Sequence, residues 1–281
     1  MKKTDWICPL CGAALTEEDG ALRCPGGHSF DKARQGYCHL LPVQQKHAKN
    51  PGDNRDMVQA RRRFLQTGGY APFAEKLREL VTDALRGKEN PLLLDVGCGE
   101  GYYTGFLYDG LQKEKIPARV AGFDISKEAV RLAAGRYKGI SFAVASSFAI
   151  PVADGACDCV TEVFSPLVPE EFRRVTAPGG TLILAVPGPR HLWELKKVLY
   201  DAPYENERKD TFFDGFTFVG REEVRTRLTL DTPQVIHDLF AMTPYYWKTG
   251  EEGSRRLQAL PELETEIAFD FLVYRREEDT P

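Results

Sequence analysis

Three glycines at alternate positions behind a carboxylate constrain this chain more than any other feature. Residues 92–104 read Leu-Leu-Leu-Asp-Val-Gly-Cys-Gly-Glu-Gly-Tyr-Tyr-Thr. The apolar run predicts a buried strand, the glycines a tight turn, and the residues after Gly101 a helix start. Gly97, Gly99 and Gly101 let the backbone approach a ligand where a Cβ would clash. Asp95 and Glu100 flank the turn and repel phosphate, so the expected ligand is cationic. A phosphate loop would instead offer amides, a lysine and a helix N-terminus, and the dinucleotide spacing G-x-G-x-x-G is absent.

This D-x-G-x-G-x-G pattern resembles motif I of the class I S-adenosylmethionine methyltransferases. The resemblance implies a ligand with an ammonium, a sulfonium and an adenosine. Later residues extend the expected cofactor site. Tyr102 opens the helix, and Asp124 ends the next apolar run, 120–124, where an acid can accept both ribose hydroxyls. Ser146 and Ser147 follow a third strand over 140–145. Many class I enzymes carry an acid there for the adenine amino group, so hydroxyls and backbone would serve instead.

The first 43 residues have a different logic. Cys8-Pro-Leu-Cys11-Gly and Cys24-Pro-Gly-Gly-His28 are two knuckles, each giving two ligands of the types that hold zinc tetrahedrally. Four protein ligands leave no open position, so the expected metal is structural. Cys38 and His39 are rivals for the fourth place, but His28 completes a knuckle. Ala14-Leu15 and Ala21-Leu22-Arg23, around Glu17-Glu18-Asp19-Gly20, predict a hairpin. So small a segment needs such a staple to fold. Lys32, Arg34, Tyr37 and His39 combine cations with rings, a mixture suited to RNA phosphates and bases.

Charge agrees with a basic front on an acidic body. Residues 1–70 carry 11 Lys and Arg against 7 Asp and Glu, and the remainder 26 against 34, so only the front attracts phosphate. Arg61-Arg62-Arg63 lies in a helix expected from Arg55, with Met57, Ala60, Phe64 and Leu65 inward. Three successive residues cannot share a side, so at least one arginine should reach solvent or RNA phosphate. The seven cysteines cluster toward the front with no apolar leader, which predicts metal binding and a cytoplasmic setting over disulfides and export. No apolar run is long enough to span a membrane.

Taken in order, CPLCGAAL…CPGGHSFDKARQGYCHLLP, PGDNRDMVQARRRFLQTGGYAP, LLLDVGCGEGYYT and PGPRHLWELK resemble the bacterial 23S rRNA guanine-N1 methyltransferases. The resemblance spans nearly the whole chain. It implies methylation of a guanine in a domain II hairpin, links to macrolide resistance in some members, and a homodimer whose two zinc modules embrace RNA. It also places Tyr70 and His191 against the cofactor. Phe164-Ser165-Pro166 ends the fourth strand, 157–164, where amino methyltransferases hold the target nitrogen. Phe164 is expected to stack on or border the base. Guanine N1 carries a proton that must leave, and Glu162 and His191 are the candidate bases.

The expected architecture is α/β: a seven-stranded, Rossmann-like class I domain over 71–281, a linker with a basic helix over 44–70, and a zinc-ribbon-like module over 1–43. Pro178-Gly-Gly is read as a turn, residues 201–215 as an irregular insertion, and Pro244-Tyr-Tyr-Trp-Lys248 as an aromatic loop beside the base pocket or in the core. Two rivals remain. A small-molecule methyltransferase leaves the zinc module unexplained, and a non-catalytic zinc-ribbon adaptor leaves Asp95, the glycines and Asp124 unexplained.

Overall fold

The computed structural model describes residues 2–43, 52–208 and 212–278. The hinge expected over 44–53 therefore lies outside the described residues, except for Gly52 and Asp53. The chain begins with β1 (Lys2–Ile7), β2 (Ala14–Glu18), β3 (Ala21–Arg23) and β4 (Ser29–Asp31), an antiparallel sheet in sequence order. The hairpin turns at Asp19-Gly20, both with positive φ. A short β5 (Cys38–His39) follows.

Two helices, α1 (Arg55–Gln66) and α2 (Ala71–Leu85), lead into β6 (Leu92–Val96). Asn54 caps α1 through its side chain, accepting from the Met57 amide. The buried face of α1 is Val58, Ala60, Phe64 and Leu65; Val58 replaces the expected Met57 because it lies in line with Leu65 one helical repeat on. The α/β succession continues with α3 (Tyr102–Lys113), β7 (Arg119–Asp124), α4 (Lys127–Arg136), β8 (Ser141–Val144), β9 (Cys157–Val163), α5 (Pro169–Val175), β10 (Thr176–Pro187) and α6 (Trp193–Leu199). Pro178-Gly-Gly is a break in register inside β10, not a separate turn before it. The chain closes with β11 (Phe216–Leu230), α7 (Pro233–Ala241), α8 (Tyr245–Lys248), α9 (Glu251–Gln258) and β12 (Leu263–Arg276). The expected aromatic loop is thus a helical turn, and α9 beyond it is an element the sequence reading missed.

The large sheet has the order β11-β12-β10-β9-β6-β7-β8-β5. All neighbours from β10 to β5 run parallel, and β12 and β11 are antiparallel. The seven expected strands are present, with the last antiparallel beside the fifth. The eighth, β5, comes from the N-terminal segment and pairs Cys38 with Ala143 and His39 with Val144.

A parallel sheet must be covered on both faces. On one face Leu93, Val120, Ile183, Phe269 and Phe271 pack against α1, α2, α3, α6, α7 and α9. On the other, Leu94, Val96, Leu182, Leu184 and Leu272 share a core with Trp6, Leu15 and Leu22 of the N-terminal module and with Phe172 and Val175 of α5. Residues 145–156, joining β8 to β9, form no helix, although such crossovers usually carry one. The N-terminal module occupies that place. Buried Trp6 donates its indole N–H to the Ser141 hydroxyl at 2.7 Å, Ile7 N donates to Pro151 O at 2.9 Å, and Asp5 pairs with Arg119.

Candidate cofactor and base site

The glycine turn sits at the C-terminal end of β6, as the sequence predicts. Asp95 is buried, and both its oxygens are taken: Oδ2 accepts from Thr104 Oγ1 at 2.5 Å and Oδ1 from Thr161 Oγ1 at 2.9 Å. One carboxylate therefore ties β6 to the first turn of α3 and to β9. Burial pushes its carboxyl up to about 6 against the two hydroxyl donors. Asp95 shapes the turn through these two bonds. Glu100 is buried too, lifted by desolvation and opposed by the fields of Arg136, Arg62 and Arg61. The Asp95 oxygens are thus bonded within the protein, and Glu100 stands beside the same turn among three arginine charges.

Two glycines show why the turn needs them. Gly97 has φ +71°, and a Cβ there would meet Ser165 Cβ at 2.5 Å, so the β9 end packs directly on the turn. Gly99 has φ +56° and an open side, where the Arg61 guanidinium is the near neighbour, 3.9 Å from an added Cβ. A ligand can approach the backbone there. Asp124 faces this opening: Oδ2 accepts from Gly99 N at 3.0 Å and Oδ1 from Ser126 N at 2.7 Å. A carboxylate offers about four acceptor positions, so two remain for a pair of hydroxyls. Ala145 N donates to Asp124 O at 3.1 Å, which brings Ser146 and Ser147 to the same edge. Ser146 Oγ accepts from Phe148 N at 3.2 Å and keeps its own proton to donate. Tyr102 starts α3 beside Glu100, half-buried. This edge, with a diol-sized acceptor, hydroxyls and glycine backbone, fits S-adenosylmethionine.

The neighbouring wall is aromatic. Tyr70, Phe73, His191 and Phe269 pack ring on ring, and Phe164 lies on Phe73 at 5.8 Å with a 28° tilt. Phe164 has φ +58°, a left-handed conformation costly for a bulky residue, and is 48 % exposed. It is the open end of the stack. Buried His191 accepts from Ala268 N through Nδ1 at 3.3 Å, so the proton sits on Nε2, 3.4 Å from the Tyr70 hydroxyl. Burial, reinforced by the Lys196 charge, pushes its pKa down to about 3. The imidazole is neutral and its lone pair is committed, which removes His191 as a base and leaves it as a wall. Glu162 pairs in register with Val96 and Leu184, on the face opposite His191. Its carboxylate accepts from Ser165 N and holds the Phe164–Ser165 turn. Burial pushes it up to about 7.

The arginine run is largely spent inside the protein. Arg61 pairs with Asp53, and Arg63 forms a two-pronged pair with Asp238 of α7 at 2.8 and 2.6 Å. Only Arg62 has no ion pair among the described residues, so the expectation of a phosphate-facing arginine falls to it alone. Two other RNA expectations change. Tyr37 is buried against Val130 and Ala133 of α4, so it cannot stack on a base, and Lys32 pairs with Glu17 at 2.6 Å.

The four zinc candidates converge. The Cys8, Cys11 and Cys24 sulfurs and a His28 ring nitrogen lie within 4.8 Å of one another. Cys8 Sγ and Cys24 Sγ stand 3.5 and 3.3 Å from His28 Nδ1, and Cys11 Sγ stands 3.7 Å from Cys24 Sγ. Zinc–sulfur bonds of about 2.3 Å make tetrahedral edges of about 3.8 Å, so the donors fit that ion. Cys38 is excluded: it is buried in β5, paired with Ala143. Cys157 and Cys159 are strand residues of β9, as expected.

Comparison with known proteins agrees with this geometry. The family model "RlmA, N-terminal", a zinc ribbon, matches residues 6–49, and "Methyltransferase domain" matches 88–223. A Streptomyces fradiae 23S rRNA (guanine(748)-N(1))-methyltransferase is 35 % identical over 95 % of both chains. A Bacillus subtilis (strain 168) relative, 31 % identical over 95 % of both, carries the name 23S rRNA (guanine-N(1)-)-methyltransferase provisionally. Among solved structures, the YcgJ protein of Bacillus subtilis is similar at a TM-score of 0.46 and 11 % identity, covering 72 % of this chain and 98 % of that one.

Asp124→Ala should weaken S-adenosylmethionine binding at least tenfold by calorimetry while the folded circular-dichroism spectrum is kept. An unchanged Kd would remove Asp124 from the cofactor site.

Proposed function

The chain belongs to the 23S rRNA (guanine-N1-)-methyltransferase family, and on that premise we propose that it methylates N1 of a guanine in a domain II hairpin of 23S rRNA. The observation that carries this is the joint match of zinc module and methyltransferase fold along 95 % of the Streptomyces fradiae enzyme. A small-molecule methyltransferase would not need the first half of that match. When bound, S-adenosylmethionine supplies a methyl group activated by its sulfonium.

The residues then divide the work. Asp124 accepts the ribose hydroxyls, and Ser146 and Ser147 stand at the adenine end. Tyr70 and His191 wall the site with neutral, desolvated rings. The guanine, taken out of any pairing, lies against the exposed face of Phe164. Much of the rate comes from orientation, because the leaving group arrives already activated. The N1 proton passes to Glu162, whose carboxyl near 7 is suited to gain and lose a proton at neutral pH. The family resemblance supports a homodimer whose two N-terminal modules face one RNA, and an rRNA substrate supports a cytoplasmic setting. No helix among the described residues is long and apolar enough to cross a membrane.

The direct test is methyl transfer from labelled cofactor to unmodified 23S rRNA, with the product mapped by reverse transcription, which N1-methylguanine stops. Label on a guanine N1 of the hairpin is expected; label on no RNA would sink the reading. A second prediction concerns the base. A carboxyl raised to about 7 must lose its proton to act, so kcat should rise with pH up to about 7 and then level. Glu162→Gln should lower kcat by roughly 10²–10⁴-fold and abolish that rise. A variant keeping the wild-type pH profile would show that Glu162 only holds its turn.

A further inference from the structure

A second concavity, about 630 Å³, lies between α7 and the α8–α9 pair. It lies on the methyl-transfer side of the sheet: Phe240, on its wall, belongs to the same apolar core as Tyr70, Phe73 and Phe269. Its aromatic side is Phe240, Tyr246 and Trp247, with Tyr246 tilted 59° to Phe240 at 5.4 Å and edge-on to Trp247 at 5.0 Å. Trp247 is 65 % exposed. A tryptophan this open carries a large apolar surface that no described residue covers.

Polar groups complete the lining, and the His237 ring stands edge-on to Tyr246 at 6.5 Å. The Ser254 hydroxyl, the Gln258 amide and the His237 imidazole line the groove, and none has a hydrogen-bond partner among the described residues. Together they offer donors and acceptors to the edge of a planar ligand. No carboxylate lines the groove. Lys248 and Arg255, each adjacent in sequence to a lining residue, are exposed and have no ion pair among the described residues. The nearby acids are Glu251, Glu252 and Asp238; Glu252 is held by Arg256 at 3.3 Å, and Asp238 is held by Arg63 and accepts from the lining Gln234 at 3.0 Å. A ring platform, hydrogen-bonding edges and cations at the rim are what a single-stranded nucleotide requires. A hydrophobic partner segment would leave the amide, hydroxyl and imidazole unpaired, at a cost.

We propose that this groove is a second base-binding site, which takes an unpaired nucleobase of the substrate RNA close to the methylated guanine and stacks it on Trp247. The proposal rests on the RNA reading above. The groove would anchor the strand beside the target while the guanine turns into the catalytic site. This helical corner would then share RNA binding with the N-terminal module.

The test measures steady-state methylation of the hairpin RNA by wild type, Trp247→Ala, Trp247→Phe and Gln258→Ala, together with the Kd for S-adenosylmethionine, thermal midpoints and sedimentation. Stacking of the usual strength predicts that Trp247→Ala raises the KM for RNA between about 5- and 100-fold. Its kcat, cofactor Kd and midpoint should stay near wild type. Trp247→Phe, which keeps a ring, should recover most of the loss, and Gln258→Ala should show a smaller rise. An unchanged KM in an active Trp247→Ala protein overturns the groove proposal alone. So does a fall of that variant to half the wild-type mass, which would make the groove a contact between copies. A wild type that methylates no RNA overturns the proposal together with the reading it rests on, and is told apart by the absence of any activity.

Discussion

The need to bury both faces of a parallel sheet governs this structure. Helices cover one face. The other lacks a crossover helix between β8 and β9, and the N-terminal module fills the gap with Trp6, Leu15 and Leu22. It also donates β5 to the sheet edge beside β8. Four metal ligands fix the shape of a segment too small to build a core of its own, and that fixed shape becomes part of the core of the large domain. The zinc therefore acts at a distance: it holds no substrate, but it supports the strands whose C-terminal ends carry Asp95, Asp124 and Phe164.

At those strand ends, buried polar groups arrange the exposed ones. Asp95 spends both oxygens on Thr104 and Thr161, joining three elements around the glycine turn. Glu162 spends one on Ser165 and so presents Phe164 in a conformation it would not otherwise adopt. Ala268 fixes the His191 tautomer. Asp124 and Phe164 are left open, the two groups proposed to take the nucleoside cofactor and the flat base. Chemistry with an activated methyl donor asks for little else beyond a place for one proton.

The parts legible in the sequence were those encoded locally. The zinc knuckles and the glycine turn are short motifs whose spacing dictates their geometry, and both fold as read. Strands and helices of the large domain follow their apolar patterns to within a few residues. What stayed hidden depended on partners far along the chain. Thr161 meets Asp95 only through the β6–β9 register. Arg63 looked available for phosphate until Asp238, 175 residues later, took it. Tyr37 looked like a stacking platform because composition does not reveal that α4 covers it. The division into a module and a separate domain rested on the metal knuckles and the polar stretch after them, and neither shows which side chains of two segments share a core.

Calorimetry on metal-loaded and chelator-treated protein reads this shared core directly. If the zinc module is a layer of the catalytic domain, the loaded protein should melt in one transition, and metal removal should lower that whole transition by at least about 10 °C. Two separate transitions, with the larger unmoved by chelation, would contradict the account.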